Sequence, residues 1–377
     1  MQPTQRSNVN PVMEAALELA DKSWKLAATD GKRANPAVVN VIAADLWVRL
    51  EDLEQRLKDL KRRWGLPANC LVVLIYEAGQ DAFWIARALQ ARGIRVVPID
   101  AASVQVTRHA KRAKTDRLDA LKLLGELRAW LRGDRRELRV VSIPSEEAEA
   151  KRLLSRERGL LQKEIGQHRD RMVKLLRTQG CKVEMDLRFA ERLMAGEVRC
   201  ADGRPIPEEL WARLLRECER LDLARQQFAA VERTLLHQLP EALQRMIAVL
   251  SRLRGVGWVG AMRLVLELFW RDFANRRQVG ACVGLVPQPY DSGDSHTDQG
   301  ISKQGNRRVR ALLIEMSWCW LKYQPGSDLA QWFARRTQGA NKRAKRIAIV
   351  AVARRLAIAL WHYLREGLIP AGAQLKV

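Results

Sequence analysis

The sequence predicts an α/β N-terminal region, then a pair of long helices, then a mainly helical, basic C-terminal region. Three observations carry this reading. Short apolar runs alternate with helix-period segments over the first third, the signature of a sheet with parallel strand pairs. Leu214, Leu221, Phe228 and Leu235 recur at seven-residue spacing in the middle third, with Ala224 and Val231 between them. From about Ala248 the chain is punctuated by glycine and then turns strongly basic, with no acidic residue from Leu329 to Arg365.

The elements follow in order. Ala15–Leu19 and Ser23–Ala27 read as strands about a turn, and Pro36–Val41 as a third strand. Ala43–Trp64 reads as a helix, because Leu46, Leu50, Leu53, Leu57 and Leu60 recur at helical spacing. Leu71–Ile75 is a continuous apolar run, as expected of a strand buried on both faces. Asp81–Arg92 is helical and stops at Gly93, Ile94–Ile99 is another buried strand, and a basic loop leads to a helix over Thr115–Leu131. Ser145 is placed to cap a long helix, and Leu153, Leu154, Leu160, Leu161, Ile165, Met172 and Leu176 are expected to mark its apolar face. Together with the heptad segment it forms an antiparallel helix pair, either within one chain or as a dimer arm.

With 66 Lys+Arg against 43 Asp+Glu, the 377-residue chain carries a net charge of +23. A polyanion is the simplest partner for such an excess, and nucleic acid is the commonest large one. The cations are spread through the chain rather than gathered on one amphipathic segment, which argues against a membrane surface. No apolar stretch is expected to span a bilayer and Met1–Asn10 is polar, so a cytoplasmic protein is expected. The six cysteines are scattered without a C-x-x-C pair and read as reduced thiols.

Acidic residues then stand out by position. Asp116 and Asp119 are three apart, which places both carboxylates on one face of a helix. Such a pair repels itself unless a cation lies between, and Mg²⁺ suits hard oxygen ligands beside a phosphate. A solvated helix start is the competing explanation. Glu77 directly follows a buried strand, where α/β sheets gather ligands. Glu18 lies within the first strand between Leu17 and Leu19, with Asp21 as a competitor for that position and Asp100 as a spare acid at a strand end. Acids from a first strand, a fourth strand and a late helix form the pattern of an RNase H-like two-metal nuclease.

Several strings then occur in order: Tyr76-Glu77-Ala78-Gly79, Arg112-Ala113-Lys114-Thr115-Asp116-Arg117-Leu118-Asp119-Ala120, Gly284-Leu285-Val286-Pro287, Ser292-Gly293, and Gly300-Ile301-Ser302-Lys303-Gln304-Gly305-Asn306. In this combination the chain closely resembles, over nearly its whole length, the transposases of the one-ten-type insertion sequences, often called DEDD transposases. The resemblance implies an RNase H-like (RuvC-like) domain over 1–143, a coiled-coil insertion over 144–246 and a C-terminal transposase domain over 247–377. It implies Mg²⁺ held by Glu18, Glu77, Asp116 and Asp119, and a serine, here Ser292, that attacks the DNA backbone. The family's first acid is usually aspartate, where this chain has Glu18, which keeps Asp21 open. Donor and target DNA are the implied partners, with a structured guide (bridge) RNA from the element's own end for some members. A homodimer or tetramer fits the heptads and the need to bring Ser292 and the carboxylates together.

Serine needs activation to act as a nucleophile. No histidine is an obvious partner by spacing, and Tyr290–Gly293 also reads as a plain turn. The remaining candidates are nucleic-acid contacts. Arg108, Lys111, Arg112 and Lys114 form a basic loop before the Asp116 helix. Gly255 and Gly257 resemble the hairpin of a helix-hairpin-helix, whose competing explanation is a tight turn. Ser302, Lys303, Asn306, Arg307, Arg308 and Arg310 combine donors suited to phosphate. Trp318, Trp320, Trp332 and Trp361 lie at core-like helical spacing. A hydrolytic junction-resolvase-like nuclease and a non-enzymatic nucleic-acid-binding protein are the alternatives to strand transfer.

Overall fold

The computed structural model describes residues 11–79, 81–100, 115–134, 138–292 and 295–376, with the backbone alone described over 289–292 and 295–299. The chain divides into two compact units, 1–144 and 145–377.

In the N-terminal unit the elements run β1 (Val12–Leu19), β2 (Trp24–Thr29), β3 (Ala37–Val41), α1 (Leu46–Arg63), β4 (Leu71–Glu77), α2 (Ala82–Ala91), β5 (Arg95–Ile99) and α3 (Asp116–Leu131). This is the order read from the sequence, and the strands form one sheet in the order β3-β2-β1-β4-β5. β1 pairs antiparallel with β2 and parallel with β4, which in turn runs parallel to β5. Strand alternation sends Met13, Ala15 and Leu17 to one face, where they pack with Leu50, Leu53 and Leu57 of α1 and Ile85 and Leu89 of α2. Ala16, with Ala27, Val73 and Ile75, faces the other way and packs with Ala120, Leu123, Leu124 and Leu127 of α3. The alanines at Ala16, Ala27 and Ala120, all fully buried, let α3 approach the central strands closely. β1 begins at Val12 rather than at Ala15, which brings Glu14 into the strand.

The C-terminal unit runs α4 (Glu146–Arg177), α5 (Phe189–Met194), α6 (Glu208–His237), α7 (Glu241–Ser251), α8 (Trp258–Glu267), α9 (Arg276–Cys282), β6 (Pro287–Ser292), β7 (Ser295–Ile301), α10 (Arg307–Tyr323), α11 (Asp328–Thr337) and α12 (Lys342–Glu366). α4 and α6 pack antiparallel: Arg158 meets Glu232 at 2.7 Å near one end, and Arg171 meets Glu217 at 2.6 Å near the other. Leu214 and Leu221 are buried with Met172 and Leu176 in their seam, whereas Leu235 joins the larger core around α7, α8, α10 and α12.

The apolar face expected of α4 is corrected at two positions in its first half, while Leu154 and Leu161 pack as expected. Leu153 and Leu160 are exposed, and Arg152, Ser155 and Arg158 take the buried positions. Aromatic partners make this tolerable: the Arg158 guanidinium lies 4.7 Å over Phe228 and that of Arg152 lies 4.8 Å over Trp270.

Two further differences concern the C-terminal residues. Of the turn expected at Tyr290–Gly293, Tyr290–Ser292 instead belong to strand β6, paired with β7, and Gly293 lies outside the described residues. Among the described residues α12 is long and apolar enough to cross a membrane, against the expectation of no such stretch. Its Val352, Ala353, Leu356, Ala357 and Leu360 are nevertheless fully buried. Trp320 and Trp361 are core residues as expected, while Trp318 is exposed. All six cysteines are free thiols.

Candidate active site

The carboxylates of the N-terminal unit are organised by the register of β1 and β4. Leu17 pairs with Tyr76, one residue before Glu18 and Glu77 respectively. Both glutamates lie two residues beyond side chains packed under α3, Ala16 and Ile75. Alternation therefore turns both toward the α3 face, at the carboxyl ends of two adjacent parallel strands.

Packing of Ala120, Leu123, Leu124 and Leu127 on the sheet lays α3 along this face, and an ion pair anchors its far end. Arg128, near the end of α3, meets Glu14 of β1 at 3.2 Å, so α3 runs back along the strand. From Glu14 to Glu18 the strand advances about 13 Å, and from Arg128 back to Asp119 the helix rises about 13 Å. The first turn of α3, with Asp116 and Asp119, thus lies toward the carboxyl end of β1. Thr115 caps that turn, its hydroxyl accepting from the Leu118 N–H at 3.3 Å. Carboxylates at a helix N-terminus are also favoured by the helix dipole, the ordinary reason for finding aspartates there.

The strand ends are held from outside the tetrad. Arg49, 1 % exposed, donates to the carbonyls of Ala20, Asp21, Lys22 and Ala43 and so gathers the β1–β2 turn. Asp21 sits in that turn with an exposed side chain, whereas Glu18 is within β1 and half-buried. At β4 the Tyr76 hydroxyl donates to the Ala82 carbonyl, and the Ala78 N–H donates to Ile99 at 2.7 Å. Burial pushes the Tyr76 phenol well up, so it stays a donor.

The four carboxylates supply hard oxygen donors, the set that suits Mg²⁺. Among the described residues no three His, Cys, Asp or Glu side chains are drawn together closely enough to hold a metal ion. The fit of the tetrad to a divalent cation therefore rests on donor chemistry and on the shared face, and like charges hold such groups apart without a cation.

In the C-terminal unit Ser292 is the last residue of β6, paired across the hairpin with Ser295. The base of this hairpin is an interlock of two motif strings. Ser302 N–H donates to Val286, Lys303 to Gly284 and Asn306 to Cys282, at 2.9, 3.2 and 3.0 Å. Gly284 (φ 66°) and Gly305 (φ 93°) have backbone that favours glycine, and a Cβ on either would collide with the Gln304 or Cys282 carbonyl oxygen respectively. Glycine is required here because two backbones cross in contact.

A family model described as Transposase IS116/IS110/IS902 family matches residues 247–331, and one described as Transposase, of the DEDD type of IS110, matches residues 42–179. The chain is 37 % identical to the transposase homologue y4rJ of Sinorhizobium fredii over 96 % of this chain and 94 % of that one. This chain belongs to the IS110 family of transposases. It is also 28 % identical to the transposase homologue y4qE of the same organism, over 78 % of this chain and 76 % of y4qE. To the transposase for insertion sequence element IS1328 of Yersinia enterocolitica it is 29 % identical, over 38 % of this chain and 42 % of that one. The DEDD family carries an RNase H-like fold, in keeping with the five-stranded mixed sheet.

The other candidates of this transposase fall into three groups. Arg108, Lys111, Arg112 and Lys114 lie outside the described residues. Lys303, Arg307 and Arg308 are exposed cations at the foot of the hairpin and the start of α10, with Ser302 half-buried beside them. Asn306 and Arg310 each make internal hydrogen bonds. The Asn306 carbonyl oxygen caps α10 while its amide donates to Glu267 at 3.0 Å, and Arg310 donates to the Val283 carbonyl at 3.2 Å. Gly255 and Gly257 form the α7–α8 turn, and Gly255 packs toward Cys319 and Tyr323 of α10, where a Cβ would meet both at 3.3 Å.

Three structurally important residues escaped the sequence analysis. Glu14 was legible as the residue four before Glu18 on the same strand face. Arg49 and Glu267 carried no local signal. Glu267, 4 % exposed, accepts two hydrogen bonds from Arg156 at 2.7 and 2.8 Å besides that from Asn306, and so ties α4 to the start of α10.

Proposed function

We propose that this transposase excises and integrates an insertion sequence by metal-dependent cleavage and rejoining of DNA strands. Glu18, Glu77, Asp116 and Asp119 are assigned to hold Mg²⁺, and Ser292 is assigned as the nucleophile. The observation that supports this best is the shared face: Glu18 and Glu77 end adjacent parallel strands beneath the helix that begins with Asp116 and Asp119. When bound, the metal would neutralise charge on the phosphate and the departing oxygen.

The Ser292 oxygen attacks phosphorus, the bond to one flanking sugar oxygen breaks, and that oxygen leaves as a hydroxyl. Attack by the hydroxyl of a second strand on the serine-linked phosphate rejoins DNA and returns the serine. Donor and target DNA are the substrates, and a structured RNA transcribed from the element's end is the proposed guide. A dimer or tetramer is the proposed working form, in the cytoplasm.

The decisive comparison is Ser292→Ala against Asp116→Ala in an excision and strand-transfer assay, with denaturing gels to trap the DNA–protein adduct. Both variants lose strand transfer, and Ser292→Ala forms no adduct. Strand transfer at full rate by Ser292→Ala would sink the serine assignment. Sequencing the RNA that co-purifies when the native flanking DNA is transcribed tests guidance, and recovery of random cellular RNA alone counts against it.

A further inference from the structure

Below the β6–β7 hairpin, within the C-terminal unit, lies a cleft of about 1090 Å³ between α12, α9 and the hairpin base. One face of α12 lines it, with Arg343, Arg346, Ile347, Val350, Arg354 and Ile358 at helical spacing. Arg276 and Arg277 from the start of α9, and Lys303 from the hairpin foot, complete a cationic rim. The floor is aliphatic: Ile347, 60 % exposed, continues into Val350, Ile358, Leu285 and Ile301.

Two features mark this as a built surface. Among the described residues no carboxylate lines the cleft, and none pairs with Arg276, Arg343, Arg346 or Lys303. Clustered like charges cost stability unless an anion offsets them. Lys303 also stands in the left-handed backbone region at φ 55°, alone among the described non-glycine residues. Such strain persists where the surroundings impose it, here the crossing of Gly284 and Gly305, and it aims Lys303 into the cleft.

We infer that this cleft holds one unpaired nucleic-acid strand, phosphates on the cationic rim and bases on the aliphatic floor, and leads it to the hairpin that carries Ser292. A duplex hides its bases and offers only phosphates, so an apolar floor is of no use to it. A strand with splayed bases uses both features. The inference rests on the recombinase reading for its biological sense, but its chemistry is independent of Ser292 and of the carboxylates.

The test uses the full chain in EDTA, where no cleavage proceeds, and the fluorescence anisotropy of one short labelled sequence offered as single-stranded DNA, as RNA and as duplex. Single strands bind more tightly than duplex, and the tighter of the DNA and RNA arms tells which strand the cleft serves. Arg343→Ala/Arg346→Ala weakens single-strand binding at least about tenfold and lowers the slope of log affinity against log salt by about 1.4, two phosphate contacts' worth. Arg343→Lys/Arg346→Lys restores the slope. Ile347→Gln costs about fivefold with the slope unchanged, because it removes apolar contact alone. An unchanged slope in the double alanine variant, with folding verified by circular dichroism, overturns the inference. So does duplex binding as tight as single-strand binding, or displacement of the strand by poly-glutamate at equal charge concentration. Loss of the serine chemistry with cleft binding intact would refute the proposed function and leave this result standing.

Discussion

Glu14 and Glu18 share one face of β1 but keep different company. Glu14 is half-buried beside Arg128; burial pushes its carboxyl up, and the guanidinium only partly offsets that. It is an anchor for α3. Glu18 stands at the strand's carboxyl end, on the face it shares with Glu77, and is the first metal ligand in the proposed function. Asp21 belongs to a turn that Arg49 holds by backbone carbonyls, and its side chain is exposed. Changing groups that merely support metal ligands costs up to about 100-fold, so Glu18→Gln is expected to cost strand cleavage more than that. Asp21→Asn should cleave near the parent rate. Cleavage rates of the two purified variants decide it, and the reverse ranking would move the first ligand to Asp21.

At the scale of elements, the α4–α6 pair depends on charge placed inside it. Glu217 of α6, 3 % exposed, meets His168 and Arg171 of α4 at 2.7 and 2.6 Å and Arg220 at 3.1 Å. Burial pushes its carboxyl up, but the hydrogen bonds from His168 and Arg171 outweigh it and leave it below the usual glutamate range. A depressed folded value contributes stability that is complete above the unfolded pKa and is lost as pH falls through the folded one. The parent should therefore lose thermal stability below about pH 4. Glu217→Gln should cost about 2 kcal/mol at neutral pH and show a flatter melting profile over that acid range. Melts that give both proteins the same acid profile would assign the loss to other carboxylates.

The hairpin base works by a different principle. Gly284 and Gly305 contribute by lacking side chains, and Asn306 by spending both ends of its amide on α10 and Glu267. Strings that look like ligand-binding motifs in one dimension are here partly the fastening that holds β6 and β7.

For the whole molecule the governing quantity is the charge of +23. Binding carried by many phosphate contacts releases counterions, so DNA affinity should fall at least about a thousandfold between roughly 50 and roughly 200 mM salt. Filter-binding isotherms across that range check this, and less than a tenfold change would mean that the charge serves solubility rather than recognition. Each compact unit has its own core: the sheet with α1, α2 and α3 in the first, and the helices around α8, α10 and α12 with the α4–α6 seam in the second.

What the sequence by itself determined is whatever depends on near neighbours. Strand and helix order, the three-residue spacing of Asp116 and Asp119, the acid at the end of β4 and the basic surplus all follow from periodicity and composition. The tertiary structure decided what depends on distant partners. Strand register turned Glu18 and Glu77 to the same side, and the Glu14–Arg128 pair anchors the end of α3 against β1. Buried arginines displaced Leu153 and Leu160 from the α4 seam. Asn306 and Arg310, read as phosphate donors, also bond groups far along the chain, Glu267 and the Val283 carbonyl. A polar side chain's role is set by which donor or acceptor reaches it first, and that competition is settled only when the chain has folded.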